Sequence, residues 1–197
     1  MKIKHRAFGA YQTNCYIVSD TKSDIIIDPG VGATKWVKEN VTNPLAILNT
    51  HGHFDHIWSD CELKKDLNVP VYIPKDDAFM LEKDIFNQSQ PVCDANVLVE
   101  KDEVFDINGI IVKYIFFPGH TPGCSVIEID KYWFSGDFIF EGSIGRVDFP
   151  YSNPHDMKNS LEKFLKITYD RKVYTGHGNA TTIKNEQKNV PYWLNYL

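Results

Sequence analysis

Three of the chain's seven histidines fall within six residues, His51-Gly52-His53-Phe54-Asp55-His56. Imidazoles and carboxylates at this density are the ligand types by which proteins hold Zn, Fe or Mn. In extended backbone, residues two apart point to the same side, so His51, His53 and Asp55 converge on one volume while His56 approaches from another. Gly52 lets the backbone bend closely around them. The run offers more ligands than one open catalytic ion uses, so two ions suit it better. The plain alternative is a solvated turn, with Asp55 capping a helix that starts near Ile57.

Three later segments repeat the setting of a ligand beside glycine where a strand runs into a loop: Phe117-Pro118-Gly119-His120-Thr121-Pro122-Gly123, Phe134-Ser135-Gly136-Asp137 and Tyr174-Thr175-Gly176-His177-Gly178. Taken singly, each is as well explained by a turn histidine, a capping aspartate or a satisfied polar group. Taken with the first cluster they complete a set of five histidines and two aspartates, enough for two metal ions with positions left for water and substrate.

These residues need a scaffold, and the chain reads as one. Apolar runs bounded by turn signals predict strands at Asn14–Ser19, Asp24–Asp28, Leu45–Leu48 and Val71–Ile73. A helix is expected over Thr34–Asn40 and another over Ile57–Leu67, whose apolar residues recur at helical spacing. A further helix is expected over Asp76–Phe86, and a long surface loop over Asn87–Lys101 that covers part of a site. In the second half, Asn108-Gly109 marks a hairpin between Val104–Ile107 and Ile110–Phe117. Strands follow at Ser125–Ile129, Tyr132–Ser135 and Val173–Thr175, with helices at His155–Phe164 and Thr181–Asn189. The aromatic tail Tyr192–Leu197 must pack on the core or on a partner chain.

Composition narrows the class. At 197 residues the chain suffices for one domain with a continuous core, and no linker or repeat divides it, so residues 1–197 are read as a single unit. Lys and Arg number 21 against 26 Asp and Glu, a net charge of -5 that repels a phosphate backbone and argues against nucleic-acid partners. No window approaches the ~20 apolar residues that span a bilayer. The N-terminus interrupts its apolar residues with charge, unlike an export signal, so a cytoplasmic location is expected. Cys15, Cys61, Cys93 and Cys124 form no C-x-x-C pair and are expected to remain reduced thiols.

The order His-x-His-x-Asp-His, His, Asp, His resembles the metallo-β-lactamase superfamily over nearly the whole chain. The resemblance implies a four-layer αββα sandwich with the site at one edge of the paired sheets. It implies His51, His53 and His120 on a first metal, Asp55, His56 and His177 on a second, and Asp137 bridging both. Two divalent ions are then the cofactors, zinc first, with iron or manganese as alternatives because this ligand set accepts all three. A hydroxide shared by the ions is the expected nucleophile, with Asp55 orienting it or carrying its proton.

Among branches, secreted β-lactamases commonly place a cysteine where this chain has Asp137, and flavodiiron proteins a glutamate where it has His53. The stretch Ser135–Pro150, with Gly145-Arg146-Val147-Asp148, is similar to short, single-domain glyoxalase II-like thioesterases. That branch implies hydrolysis of small-molecule thioesters such as hydroxyacylglutathione, while lactones and other esters remain within reach of the same site. A second branch, the iron-dependent persulfide dioxygenases, shares the signature and implies one iron at His51, His120 and Asp137. Arg146 is expected either to hold a substrate carboxylate or to pair with Asp148 or Asp137 and support the loop. Phe149 and Tyr151 are candidates for the rim of the substrate opening.

Overall fold

Ile25, Ile26 and Ile27 are all fully buried, on alternate faces of one strand. Ile25 and Ile27 join Val18, Leu48, Tyr114 and Phe134 in one core, while Ile26 joins Val37, Ile47, Leu63 and Ile73 in another. A strand that is apolar on both faces requires a covering layer on each side. The computed structural model, which describes residues 1–197, shows those layers.

The first sheet runs in spatial order β1 (Lys2–Phe8), β2 (Thr13–Ser19), β3 (Asp24–Ile27), β4 (Pro44–Leu48), β5 (Val71–Pro74) and β6 (Val97–Val99). It is antiparallel from β1 to β3 and parallel from β3 to β6. Between its strands lie α1 (Thr34–Asn40), α2 (Phe54–Ile57), α3 (Asp60–Leu67) and α4 (Ala78–Glu82). The second half contributes β7 (Glu103–Ile107), β8 (Ile110–Phe116), β9 (Ser125–Ile129), β10 (Tyr132–Gly136), a small ribbon of β11 (Ile139–Phe140) and β12 (Ser143–Ile144), then α5 (Pro154–Leu165), β13 (Lys172–Thr175), β14 (Thr181–Thr182), α6 (Ile183–Gln187) and α7 (Val190–Tyr196). Its sheet has the order β14-β13-β10-β9-β8-β7.

The two sheets meet face to face over the core that holds Val18, Ile25, Leu48, Val112, Ile127 and Phe134. Residues of α1 and α3 close the outer face of the first sheet, and Met157, Leu161, Phe164, Ile183 and Val190 of α5, α6 and α7 close the second. The result is the αββα sandwich. Each fully buried large side chain in these layers contributes ~1.5–3 kcal/mol of transfer free energy. Helix α5 shows the local logic: Met157, Ser160, Leu161 and Phe164 form its buried stripe, Pro154 opens it, and the Asn153 side chain accepts from the backbone N–H of His155 and Asp156.

Several elements differ from expectation. The helix expected over Ile57–Leu67 is two helices, because Ser59 donates its amide to the Pro29 carbonyl and its hydroxyl to the Gly30 carbonyl, tying the break to the end of β3. The helix expected over Asp76–Phe86 ends at Glu82 after a 3-10 turn at Lys75–Asp77. Lys83 is extended, and the Asp84 carboxylate accepts from Gln88 and Ser89 to form a turn in its place. The expected loop Asn87–Lys101 contains β6, and the expected helix Thr181–Asn189 opens as β14. The aromatic tail is α7, which packs Trp193, Leu194 and Leu197 on the core and leaves Tyr192 and Tyr196 exposed.

The four cysteines are not all reduced. Cys15 and Cys124 are buried free thiols, but Cys61 and Cys93 form a disulfide with Cα atoms 5.7 Å apart. The segment after α4 folds back along α3, and that tertiary adjacency joins residues 32 apart in sequence, which no spacing rule anticipates.

Candidate metal centre

The seven ligand candidates sit beyond the ends of four strands at one edge of the sandwich. His51 follows β4, with His53 at the start of α2 and Asp55 and His56 within it. His120 lies between β8 and β9, Asp137 directly after β10, and His177 after β13. Strands β10 and β13 are parallel neighbours, so their following loops emerge side by side. Gly136 has φ +48°, and a Cβ there would strike the Thr50 side chain; a Cβ on Gly176 would strike Asp137 Oδ1. Glycine at both positions lets the two halves of the chain close on the site.

Three groups have their ligand atoms within 4.8 Å of one another: His51, His53 and His120; Asp55, His56 and His177; and Asp28, His51 and His56, which shares a histidine with each of the first two. Asp137 stands between the first two. Its Oδ2 is 3.4 Å from His120 Nε2 and 3.3 Å from His177 Nε2, and its Oδ1 is 3.3 Å from His56 Nε2. The structure therefore brings all seven candidates together.

Hydrogen bonds aim four of the rings. His120 Nδ1 donates to the Arg146 carbonyl at 2.8 Å and His177 Nδ1 to the Tyr11 carbonyl at 2.9 Å. The Thr50 hydroxyl donates to Asp28 Oδ2 at 2.7 Å, so at its 3.0 Å contact with His51 Nδ1 it accepts. The same Asp28 oxygen accepts from His56 Nδ1 at 3.1 Å. In each ring Nδ1 carries the proton and Nε2 is left as a ligand, the arrangement by which outer partners tune metal-binding imidazoles. The Thr13 hydroxyl anchors Asp55 Oδ2 at 2.6 Å.

The donor set fits divalent cations. Nε2 of His51, His56 and His120 and Oδ1 of Asp137 are buried without a hydrogen-bond partner, a costly state that cations would relieve. Burial, reinforced by neighbouring histidines, holds the His51 and His53 imidazoles well below their ordinary range, and burial lowers His120 too, so all three present neutral nitrogen. Burial also presses down on His56 and His177, but Asp137 and Asp55 outweigh it and both are raised. Burial alone would raise Asp137, yet His56 and His177 hold it well below the carboxylate range.

Asp77, a residue in none of the motifs, ties the ligand loops to each other. Its Oδ2 accepts from the Gly52 amide at 2.9 Å and the Thr121 hydroxyl at 2.6 Å, and its Oδ1 from the Gly123 amide at 2.6 Å. Burial pushes its carboxyl up to about 6 against those bonds. Nothing local marks Asp77, whereas Asp28, polar at the end of the apolar run Ile25–Ile27, did offer a signal.

A cavity of about 440 Å³ opens onto the centre, lined by His53, Asp55, His120, Asp137 and His177 and walled by Tyr11, Phe54, Phe86, Phe140, Arg146, Phe149 and Pro150. Arg146 is exposed and does not reach Asp137: Nε and Nη2 are bidentate on Asp148 at 2.9 and 2.7 Å, and the guanidinium lies 4.2 Å over the Phe149 ring. Only its carbonyl supports the ligands, through His120. Phe149 lines the cavity, whereas Tyr151 turns away to pack on Phe79 at 5.0 Å. The loop 87–101 lines none of it; Phe86, just before that loop, does.

The sequence model of the metallo-beta-lactamase superfamily matches residues 8–177. The chain belongs to that superfamily. Among relatives, it is 32% identical to the hydroxyacylglutathione hydrolase GloC of Haemophilus influenzae, over 98% of each chain. It is also 32% identical to the probable metallo-hydrolase YqgX of Bacillus subtilis, over 98% of this chain and 97% of that one. Among solved structures, the BLEG-1 B3 metallo-beta-lactamase superposes with TM-score 0.88 at 30% identity, covering 98% of this chain and 99% of the other. TTHA1623 in a di-iron-bound form gives TM-score 0.80 at 29% identity over 96% and 99%. A β-lactamase is thus among the relatives even though Asp137 stands where secreted β-lactamases commonly have cysteine. ETHE1 from Myxococcus xanthus, at 23% identity and TM-score 0.79 over 99% and 85%, shares the fold. No helix is long and apolar enough to cross a membrane.

Proposed function

We propose that the protein is a binuclear metal-dependent hydrolase of small-molecule thioesters, of the hydroxyacylglutathione hydrolase-like kind, with related esters and lactones as alternative substrates. The observation that carries this reading is the position of Asp137, within 3.4 Å of imidazole nitrogens from both ligand groups. In this reading His51, His53 and His120 hold one ion, Asp55, His56 and His177 the other, and Asp137 serves both. Two bound divalent ions supply Lewis acidity that acidifies water and polarises a carbonyl. Asp55, held through Oδ2 by Thr13, orients the attacking water and receives its proton. The aromatic wall excludes bulk water from the carbonyl. Zinc is the proposed metal; the di-iron form of TTHA1623 supports assaying iron beside it.

Purified protein of measured metal content, assayed on S-lactoylglutathione, neutral thioesters, lactones and a cephalosporin, tests this. Two ions per chain and chelator-sensitive thioester hydrolysis are expected. One iron per chain with oxygen uptake on glutathione persulfide would replace the reading with a dioxygenase, and cephalosporin turnover alone with a β-lactamase.

A further inference from the structure

We infer that the preferred substrate is an apolar acyl thioester of an uncharged thiol, turned over better than glutathione conjugates; this rests on the thioester-hydrolase reading above and departs from it in the thiol. The wall of the cavity begins at the ligands themselves. Phe86 and Phe149 meet the His53 ring at 5.5 and 5.8 Å, and Phe140 meets His177 at 6.0 Å. Phe54 bridges outward, edge-on to Tyr11 at 5.7 Å and 6.1 Å from Phe86. A group bound beside the reacting carbonyl is therefore flanked by rings on several sides.

Charge points the same way. Glutathione carries two carboxylates and one ammonium, and each must exchange water for a fixed partner to bind in a cleft. Arg146 is the single Arg or Lys side chain among the residues lining the cavity. Its Nε and Nη2 are bonded to Asp148, and Phe149 takes its face. A substrate carboxylate reaches this guanidinium only at Nη1 or by displacing Asp148; with both ions engaged by water and the reacting carbonyl, a second carboxylate finds no further Arg or Lys among the lining residues. An aliphatic or aryl acyl group loses only water.

The test uses metal-loaded protein and two substrate series. In the first, straight-chain acyl thioesters of N-acetylcysteamine lengthen from acetyl to hexanoyl; kcat/KM should rise about fourfold per methylene, as expected for burial of each CH2. In the second the acyl group is held constant: S-lactoyl-N-acetylcysteamine should exceed S-lactoylglutathione by at least about tenfold, the cost of a single unpaired charge being larger than that. Phe86→Ala should flatten the chain-length series while metal content stays at its wild-type value. A flat wild-type series, or lactoylglutathione as the better substrate, overturns the inference and leaves the hydrolase standing. Absence of turnover on every thioester and ester by the metal-loaded protein removes the hydrolase reading and the inference with it.

Discussion

The two ligand groups lie a few ångströms apart yet are built by different physics. His51, His53 and His120 are 0%, 7% and 2% exposed, and burial holds all three imidazoles below their usual range, so this group is a preformed pocket of neutral nitrogen. Asp55, His56 and His177 lie nearer solvent overall: the Asp55 and His177 side chains are 14% and 28% exposed. There, Asp137 and Asp55 raise the imidazoles, which makes protons the competitors of any cation. The supports differ too. Backbone of the second half aims His120, whereas Thr13 of β2 and the Tyr11 carbonyl in the turn before it hold Asp55 and His177. One group is shaped by exclusion of water, the other by balance of charge.

Removing the residue common to both should have the largest effect. Asp137→Ala is expected to release both ions and to lower kcat by on the order of a thousandfold or more, since several kcal/mol of Lewis-acid stabilisation disappear; elemental analysis beside thioester kinetics checks this, and retention of both ions would dissolve the comparison. Next, His120→Ala and His177→Ala should each take metal content from two ions to one, with activity down ~10²–10³-fold. Anomalous scattering from crystals of each variant should find the surviving ion on opposite sides of Asp137, and the same surviving site in both would show that the groups are not independent.

Smaller effects sharpen the contrast. Asp28→Asn should weaken metal binding about 10- to 100-fold at both sites, because Asp28 steadies His56 directly and His51 through Thr50. Asp77→Asn should fall in the same range but act first on the His51, His53 and His120 group, whose loops it joins. Competition with a chromophoric chelator measures both. The smallest expected effect is the order of release on acidification. His56 and His177 are raised and so gain protons at higher pH than the lowered His51, His53 and His120. As pH falls from about 8 to about 5 the Asp55, His56 and His177 ion should leave first. Cobalt-substituted protein followed by absorbance would reveal two steps in that order; release in the reverse order would break the assignment.

Much of the architecture was legible because it rests on local regularities. The continuous apolar run Ile25–Ile27, the Asn108-Gly109 turn and the stripe through Met157, Leu161 and Phe164 each follow from neighbours in sequence. Expectation failed where a distant group intervened. Ser59 leaves the helix for carbonyls at Pro29 and Gly30, and Asp84 turns the chain after α4 where apolar spacing alone continues a helix. The candidate ligands stood out as residue types, most of them beside glycine; of the carboxylates that aim them, Asp28 is marked by its place at the end of an apolar run and Asp77 by nothing local.

By itself, the sequence determined which atoms are available for chemistry: five imidazoles and two carboxylates, all but Asp55 and His56 placed beside glycine where an apolar strand ends. Only the tertiary structure decided that Asp137 lies between two groups, that Arg146 spends its charge on Asp148, and that Cys61 meets Cys93. The reason is range. Strand and turn preferences act over a few residues, whereas a metal centre and its aromatic wall are set by how two sheets pack across a shared core.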